Sequence, residues 1–226
     1  MTRYNPFQLI HKGLRAMLYD AALSLQQTYF ADVESAENAL QKVEAVLRQF
    51  EGHAHHEDAF IMPAIEKYDV KLAEEFEKEH VEDNALGSRL KTLVNIFRSC
   101  ELPAERLEAG SAIARAFVEF MVFNLEHMAK EEMLLNAALW EHYADEEIIG
   151  IQQRLVASIP KEELASGSKW MLRGINNMEV SAWLKEVQNS APPVLFAALV
   201  GLAKTELPIA RFEQIEKLLG EAVAVG

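Results

Sequence analysis

Two histidine–glutamate pairs carry the clearest chemical signal in the sequence. His53 and Glu57 are four residues apart, and His127 and Glu131 repeat that spacing. On an α-helix, residues four apart project from one face, so each pair presents an imidazole and a carboxylate together. Helical bundles bind metal ions through such groups on facing helices. Each pair is therefore predicted to supply half of a metal site.

Two further histidines, His11 and His80, lie in other segments with helical periodicity. In an antiparallel bundle, groups at one level are equidistant from the turn that joins their helices. The midpoint of His11 and His53 is position 32, that of His53 and His80 falls between 66 and 67, and that of His80 and His127 falls between 103 and 104. The first and third midpoints fall in predicted breaks between helices, and the second falls beside one. We therefore expect all four imidazoles at one level of the bundle, facing inward.

The elements that must position these groups are four long helices. Apolar stripes at helical spacing predict them over about residues 6–29, 35–67, 70–98 and 104–143. Pro63 should kink or interrupt the second helix. Shorter amphipathic helices are predicted at 145–158, 161–175, 178–188, 193–207 and 209–219. The expected fold is all-α: an up-down-up-down four-helix bundle over residues 1–144, followed by a C-terminal appendage of short helices over residues 145–226.

The composition excludes several classes of protein. The net charge of -13 argues against binding to nucleic acid, which needs a basic surface. The sequence has no run of 18 apolar residues, so we expect no membrane span. A single cysteine, Cys100, rules out an internal disulfide, and the N-terminal residues lack the apolar core of a signal peptide. We therefore expect a cytoplasmic protein.

The sequence offers six candidate ligands, which is more than a single four-coordinate ion uses. A structural zinc site uses four ligands, usually with sulfur, and Cys100 lies on none of the stripes. Two ions that share two carboxylates, with two imidazoles each, account for every group. This mixed ligand set suits Fe or Mn and tolerates Zn. Two divalent ions are only half neutralised by two glutamates, so an oxo or hydroxo bridge is expected to supply further negative charge. The predicted metal ligands are His11, His53, Glu57, His80, His127 and Glu131.

Simpler interpretations of the same residues stay open. In one, Glu57 is a solvated acid next to Asp58; in another, the helix is rotated and His55 or His56 replaces His53 as a ligand. A lone inward histidine is usually a hydrogen-bonded core residue, and a metal-free helical scaffold is the corresponding alternative. We prefer His53 because only this histidine of the three has a glutamate four residues later. Burial of unpaired carboxylates without a metal would also be costly.

The complete pattern, with His11, His53-x-x-x-Glu57, His80 and His127-x-x-x-Glu131, resembles the hemerythrin-like, or HHE cation-binding, family. The resemblance covers about residues 6–143. It implies a four-helix bundle that carries a non-haem di-iron centre with bridging carboxylates. Members of this family include oxygen carriers, sensors, and proteins that respond to nitric oxide or oxidative stress.

The third helix departs from the pattern of the oxygen-carrying members. Those proteins have a His-x-x-x-His pair there, whereas Phe76 and Asn84 stand four residues to either side of His80. They also have an aspartate one position after the place of Glu131. The four-His, two-Glu set is similar instead to di-iron proteins linked to repair of iron centres and to the iron-sensing F-box hemerythrin domain. This similarity disfavours simple reversible oxygen carriage.

The expected function is chemistry on a small ligand at a pair of metal ions. We expect a non-haem di-iron protein that binds or reduces O2 or NO, or handles peroxide, in a stress response. The alternative is a binding module that senses iron or oxygen and acts through its C-terminal helices. Neither function requires nucleic acid or a membrane, and both are compatible with a homo-oligomer. The sequence leaves open whether the protein is an enzyme.

Overall fold

Helices make up the regular secondary structure of the protein. The computed structural model describes residues 3–221, and no strand occurs in this range. The all-α prediction is therefore confirmed. Each helix of the described range is too short or too polar to span a bilayer. The helices of the bundle region are α1 (Gln8–Gln27), α2 (Val33–Phe60), α3 (Met62–Glu66), α4 (Val70–Ser99), α5 (Pro103–Lys130) and, after a π-helical turn at Glu131–Leu135, α6 (Asn136–His142).

The C-terminal helices follow the predicted boundaries within two residues at each end. Proline and asparagine residues separate them, as the sequence indicates, because these residues favour turns over helix interiors. The helices are α7 (Asp145–Ser158), α8 (Lys161–Gly174), α9 (Asn177–Ser190), α10 (Pro193–Glu206) and α11 (Ile209–Glu221).

Side-chain caps and a proline set the boundaries of α2, α3 and α4. The carboxylate of Asp32 accepts two backbone N–H groups at the start of α2, and that of Asp69 accepts the N–H of Leu72 at 3.0 Å at the start of α4. Helix α2 ends at Phe60, and Pro63 lies in the first turn of α3. The predicted interruption of this helix is therefore confirmed.

The last long helix differs from its prediction. The sequence predicts one uninterrupted helix over 104–143, but the π-helical turn at Glu131–Leu135 divides it. The N–H of Asn136 bonds to the carbonyl of Glu131, five residues back instead of four. Because of the additional residue, Leu139 is buried, eight residues after Glu131. Apolar periodicity assumes 3.6 residues per turn and cannot show such an insertion.

The described residues form two compact units. The first comprises residues 3–8 and 17–160, and the second comprises residues 9–16 and 161–221. Helix α1 therefore contributes residues to both units. The boundary predicted near residue 144 stays a prediction.

The first unit has an apolar core built from the interior stripes of its helices. Phe50 meets Phe120 edge to face, with ring centroids 5.5 Å apart. Phe30 covers Gly110 so closely that a Cβ atom at position 110 would lie 2.0 Å from its ring. The largest fully buried side chains of this unit include Leu18, Leu40, Leu47, Ile65, Leu90, Ile113, Phe117, Phe120, Met128, Leu135 and Leu139.

The second unit has a core of its own. Trp183 and Phe196 pack against this core, and Trp170 is half-buried beneath the guanidinium of Arg173. Gly174 lies against the backbone of Lys12. A Cβ atom at position 174 would lie only 2.3 Å from the carbonyl oxygen of Lys12. The buried core residues are Leu172, Ile175, Val180, Leu184, Ala203, Leu207, Phe212 and Ile215.

Candidate metal centre

Helices α4 and α5 bring two of the predicted ligands face to face. The rings of His80 and His127 are both buried, and their centroids are 5.0 Å apart. One helical turn further along, Asn124 donates from Nδ2 to Oδ1 of Asp83 at 2.6 Å. Both facing pairs are centred between positions 103 and 104. The register of α4 against α5 is therefore the one predicted from the spacing of the histidines.

The two predicted His–Glu pairs are both formed. Nε2 of His53 lies 3.2 Å from Oε1 of Glu57, and Nε2 of His127 lies 3.2 Å from Oε1 of Glu131. Nε2 of His80 is 3.6 Å from the other oxygen of Glu57. The two glutamates are 2% and 0% exposed. Glu57 therefore faces imidazoles from both α2 and α4.

Four of the six predicted ligands form one buried group within the first unit. Glu57, His80, His127 and Glu131 are all buried, and each offers a ligand atom within 4.8 Å of the others. His53 adjoins this group through Glu57, and His11 is fully buried. A buried set of imidazoles and carboxylates at these distances suits a metal ion.

The two facing imidazoles are each held by a further carboxylate. Nδ1 of His80 lies 2.7 Å from Oδ1 of Asp58, and Nδ1 of His127 lies 2.7 Å from Oε2 of Glu79. Lys130 donates to the other oxygen of Glu79 at 2.5 Å. A carboxylate at Nδ1 fixes the ring orientation and directs Nε2 at the centre, as is usual for metal-binding histidines. Nε2 of His80 makes no hydrogen bond to any described residue.

Sequence reasoning missed Asp58 and Glu79, the two carboxylates that hold these imidazoles. Both lie off the predicted stripes, and their sequence context is that of ordinary solvated acids. A usable signal was nevertheless present, because Asp58 directly follows Glu57 and Glu79 directly precedes His80. Asp58 on α2 contacts His80 on α4, and Glu79 on α4 contacts His127 on α5. Among the alternative ligands, His55 is exposed, and His56 is buried but lies outside the candidate metal site.

Neighbouring carboxylates raise the pKa of both facing imidazoles. Burial by itself lowers the pKa of His80, but the neighbouring carboxylates of Glu57 and Asp58 outweigh it and raise the pKa to about 9. Burial likewise opposes ionisation of His127, and Glu131 and Glu79 raise its pKa to about 9. Without metal, both imidazoles are therefore cations at neutral pH and balance the buried carboxylates.

The metal-free protein should lose stability as the pH rises from about 7 to about 10. The pKa of each imidazole is about 9 in the folded state, above its ordinary value of 6.5. The stabilisation by the protonated imidazoles is therefore complete below pH 6.5 and is lost as the pH rises through 9. Each imidazole contributes a slope of at most about 1.4 kcal/mol per pH unit. Urea midpoints across this range measure the slope. His80→Gln should flatten it and the exposed His55→Gln should not, so equal slopes in both variants would contradict this assignment.

Comparison with protein-family models identifies the family of the bundle region. Residues 4–150 match the family model described as "Hemerythrin HHE cation binding domain". The matched segment is well over half of the chain and contains all six predicted ligands. The comparisons with curated proteins and with solved structures found no match.

Proposed function

Because the chain belongs to the hemerythrin HHE cation-binding family, we propose that it is a non-haem di-iron protein that binds or reduces O2 or NO, or handles peroxide, in a stress response. The observation that carries this proposal is the buried group of Glu57, His80, His127 and Glu131, whose ligand atoms lie within 4.8 Å of one another. Iron is proposed because a mixed imidazole and carboxylate set suits it. Mn fits the same set and Zn is tolerated.

The proposed roles of the ligands follow from their neighbours. Glu57 and Glu131 would hold both ions, since each is buried and has an imidazole 3.2 Å from one of its oxygens. His80 and His127 would bind through Nε2, because carboxylates hold their Nδ1 atoms. The spacing in the sequence adds His11 and His53 to the proposed ligand set.

Apolar side chains favour reactive or sensory chemistry over reversible oxygen carriage. When bound, a redox-active ion pair supplies electrons and open coordination positions to a small ligand. Phe76, one turn before His80, is buried and packs against the ring of His127 with centroids 5.6 Å apart. It stands four residues before His80, where the oxygen-carrying members have an imidazole, and supplies no fifth imidazole. Phe123 stacks on the same ring at 6.0 Å.

Iron content and thermal stability of the whole protein test this proposal. Metal-free protein titrated with Fe(II) under anaerobic conditions should take up about two ions per chain. Its Tm should rise, because a ligand present at 100 times its Kd stabilises the native state by about 2.7 kcal/mol. Parallel titrations with Mn(II) and Zn(II) rank the metals. If Fe(II) is not taken up and the Tm does not change, the proposal is wrong.

A second candidate function is sensing of iron or oxygen through the C-terminal helices. The observation that favours it is the position of His11, which lies in residues 9–16 and so belongs to the same unit as residues 161–221. Protease digestion of the metal-free and iron-loaded samples separates the two candidates. Protection of residues 161–221 by iron supports sensing, and equal cleavage in both samples excludes it.

A further inference from the structure

The π-helical turn between α5 and α6 begins at Glu131, one of the two proposed bridging glutamates. In a continuous α-helix the N–H of residue 136 would bond to the carbonyl of residue 132. Here the N–H of Asn136 bonds to the carbonyl of Glu131 instead. The side chain of Asn136 replaces the missing α-helical bond, because its Nδ2 donates to the carbonyl of Glu132 at 2.8 Å. One residue thus supplies two of the hydrogen bonds that hold the turn.

Core packing does not explain an asparagine at this position. Asn136 is completely buried, and Leu135 and Leu139 on the same segment belong to the apolar core. Its Oδ1 has no hydrogen-bond partner among the described residues. A buried acceptor without a partner is destabilising, and leucine would fill a similar volume without that cost. The feature of asparagine that leucine lacks is the Nδ2 donor.

The π-helical turn decides whether Glu131 and the downstream core share one face. His127, Glu131, Leu135 and Leu139 are all buried and follow one another at intervals of four. In a continuous α-helix each such interval advances by about 40°, so Leu139 would point about 120° away from His127. The turn takes up one additional residue and keeps all four side chains inside. Without it, either the glutamate or the two leucines must leave the interior.

We infer that Asn136 is a positioning residue that holds the π-helical turn and thereby directs Glu131 into the metal centre. The inference rests on the proposed function, because Glu131 is there a metal ligand. If the Nδ2 donor is removed, the segment reverts to α-helical geometry. The two leucines then stay buried, because they lose more by exposure to water than a carboxylate does. Glu131 is the group that moves out.

Asn136→Leu in the full-length protein tests this inference. We expect iron affinity to fall about tenfold or more, within the range typical of residues that orient metal ligands. The Tm of the metal-free variant should equal or exceed that of the wild type, because the buried acceptor is gone. A purely structural role predicts instead that Tm and iron affinity fall together.

Three further variants sharpen the test. Asn136→Ser should recover iron binding, since a serine hydroxyl donates to the carbonyl four residues back. Asn136→Asp keeps the shape but lacks the donor, so it should lose iron as the leucine variant does. Ser181→Ala removes a different buried polar group, which has no hydrogen-bond partner among the described residues, and should leave iron binding unchanged.

Two outcomes overturn the inference: unchanged iron affinity in Asn136→Leu, or a crystal structure of that metal-free variant that retains the π-helical turn. Failure of the wild-type protein to bind iron refutes the proposed function instead. The structure of the metal-free variant would in that case still decide whether Asn136 holds the turn.

Discussion

In Glu131→Gln, we expect bound iron to fall from about two ions per chain to one or none. Glu131 belongs to the buried ligand group and is 0% exposed, so solvent cannot take its place. Glutamine has the same shape but lacks the negative charge that two cations require. The affinity for the ion pair should drop more than about 100-fold, beyond the loss typical of residues that only orient a ligand. Iron analysis after desalting, together with anaerobic Fe(II) titration, measures the effect.

Glu126→Gln is the matched control for that variant. It makes the same change of charge at an exposed position on α5, five residues earlier, and should keep both ions. Metal-free Glu131→Gln should still fold, because an amide is easier to bury than a carboxylate. Retention of two ions per chain by this variant would remove Glu131 from the ligand set.

Gly174→Ala should cause the largest loss of stability among single-methyl additions in the second unit. The new Cβ atom would lie 2.3 Å from the carbonyl oxygen and 2.7 Å from the carbonyl carbon of Lys12. These are backbone atoms, so no side-chain rotation relieves the overlap. Overpacking typically costs about 1–3 kcal/mol, and we expect the upper end of that range. Urea denaturation of the full-length protein measures it.

Gly201→Ala in α10 is the control, and its effect should have the opposite sign. A Cβ atom at position 201 would meet no other atom within 4 Å, so the methyl group only improves helix propensity. The expected gain is up to about 1 kcal/mol. Similar free energies of unfolding for both variants would show that the contact between α8 and α1 is not close-packed.

The helices and their register followed from the sequence because local signals were strong. Asp32, Asp69 and Pro63 mark helix boundaries by capping and ring geometry, which need no knowledge of the fold. The equal distances of the histidines from these breaks then placed His80 opposite His127. In a regular antiparallel bundle, the number of residues from a turn fixes the position of a residue along the bundle axis. The sequence positions were therefore sufficient to predict that His80 faces His127.

The remaining features of the site depend on tertiary contacts that sequence spacing does not encode. Asp58 and Glu79 act on histidines of neighbouring helices, 22 and 48 residues away in sequence. The π-helical turn forms because the N–H of Asn136 bonds to the carbonyl of Glu131 and not to that of Glu132. In the sequence, Asn136 cannot be distinguished from an exposed polar helix residue, because only the structure shows its burial. Burial of His56 is likewise decided by packing outside the predicted stripe.

The division of α1 between two units has a consequence for the order of events during synthesis. Residues 9–16 are made early, but the rest of their compact unit begins 145 positions after residue 16. At about 5–20 residues per second, roughly 7–30 s pass on the ribosome before the first of these partners exists. Residues 9–16, which include His11, therefore cannot pack until the C-terminal helices have been synthesised. Their packing against residues 161–221 closes one of the longest loops in the chain. We expect nascent chains stalled before residue 161 to expose this segment to chaperones and proteases, whereas released full-length chains protect it.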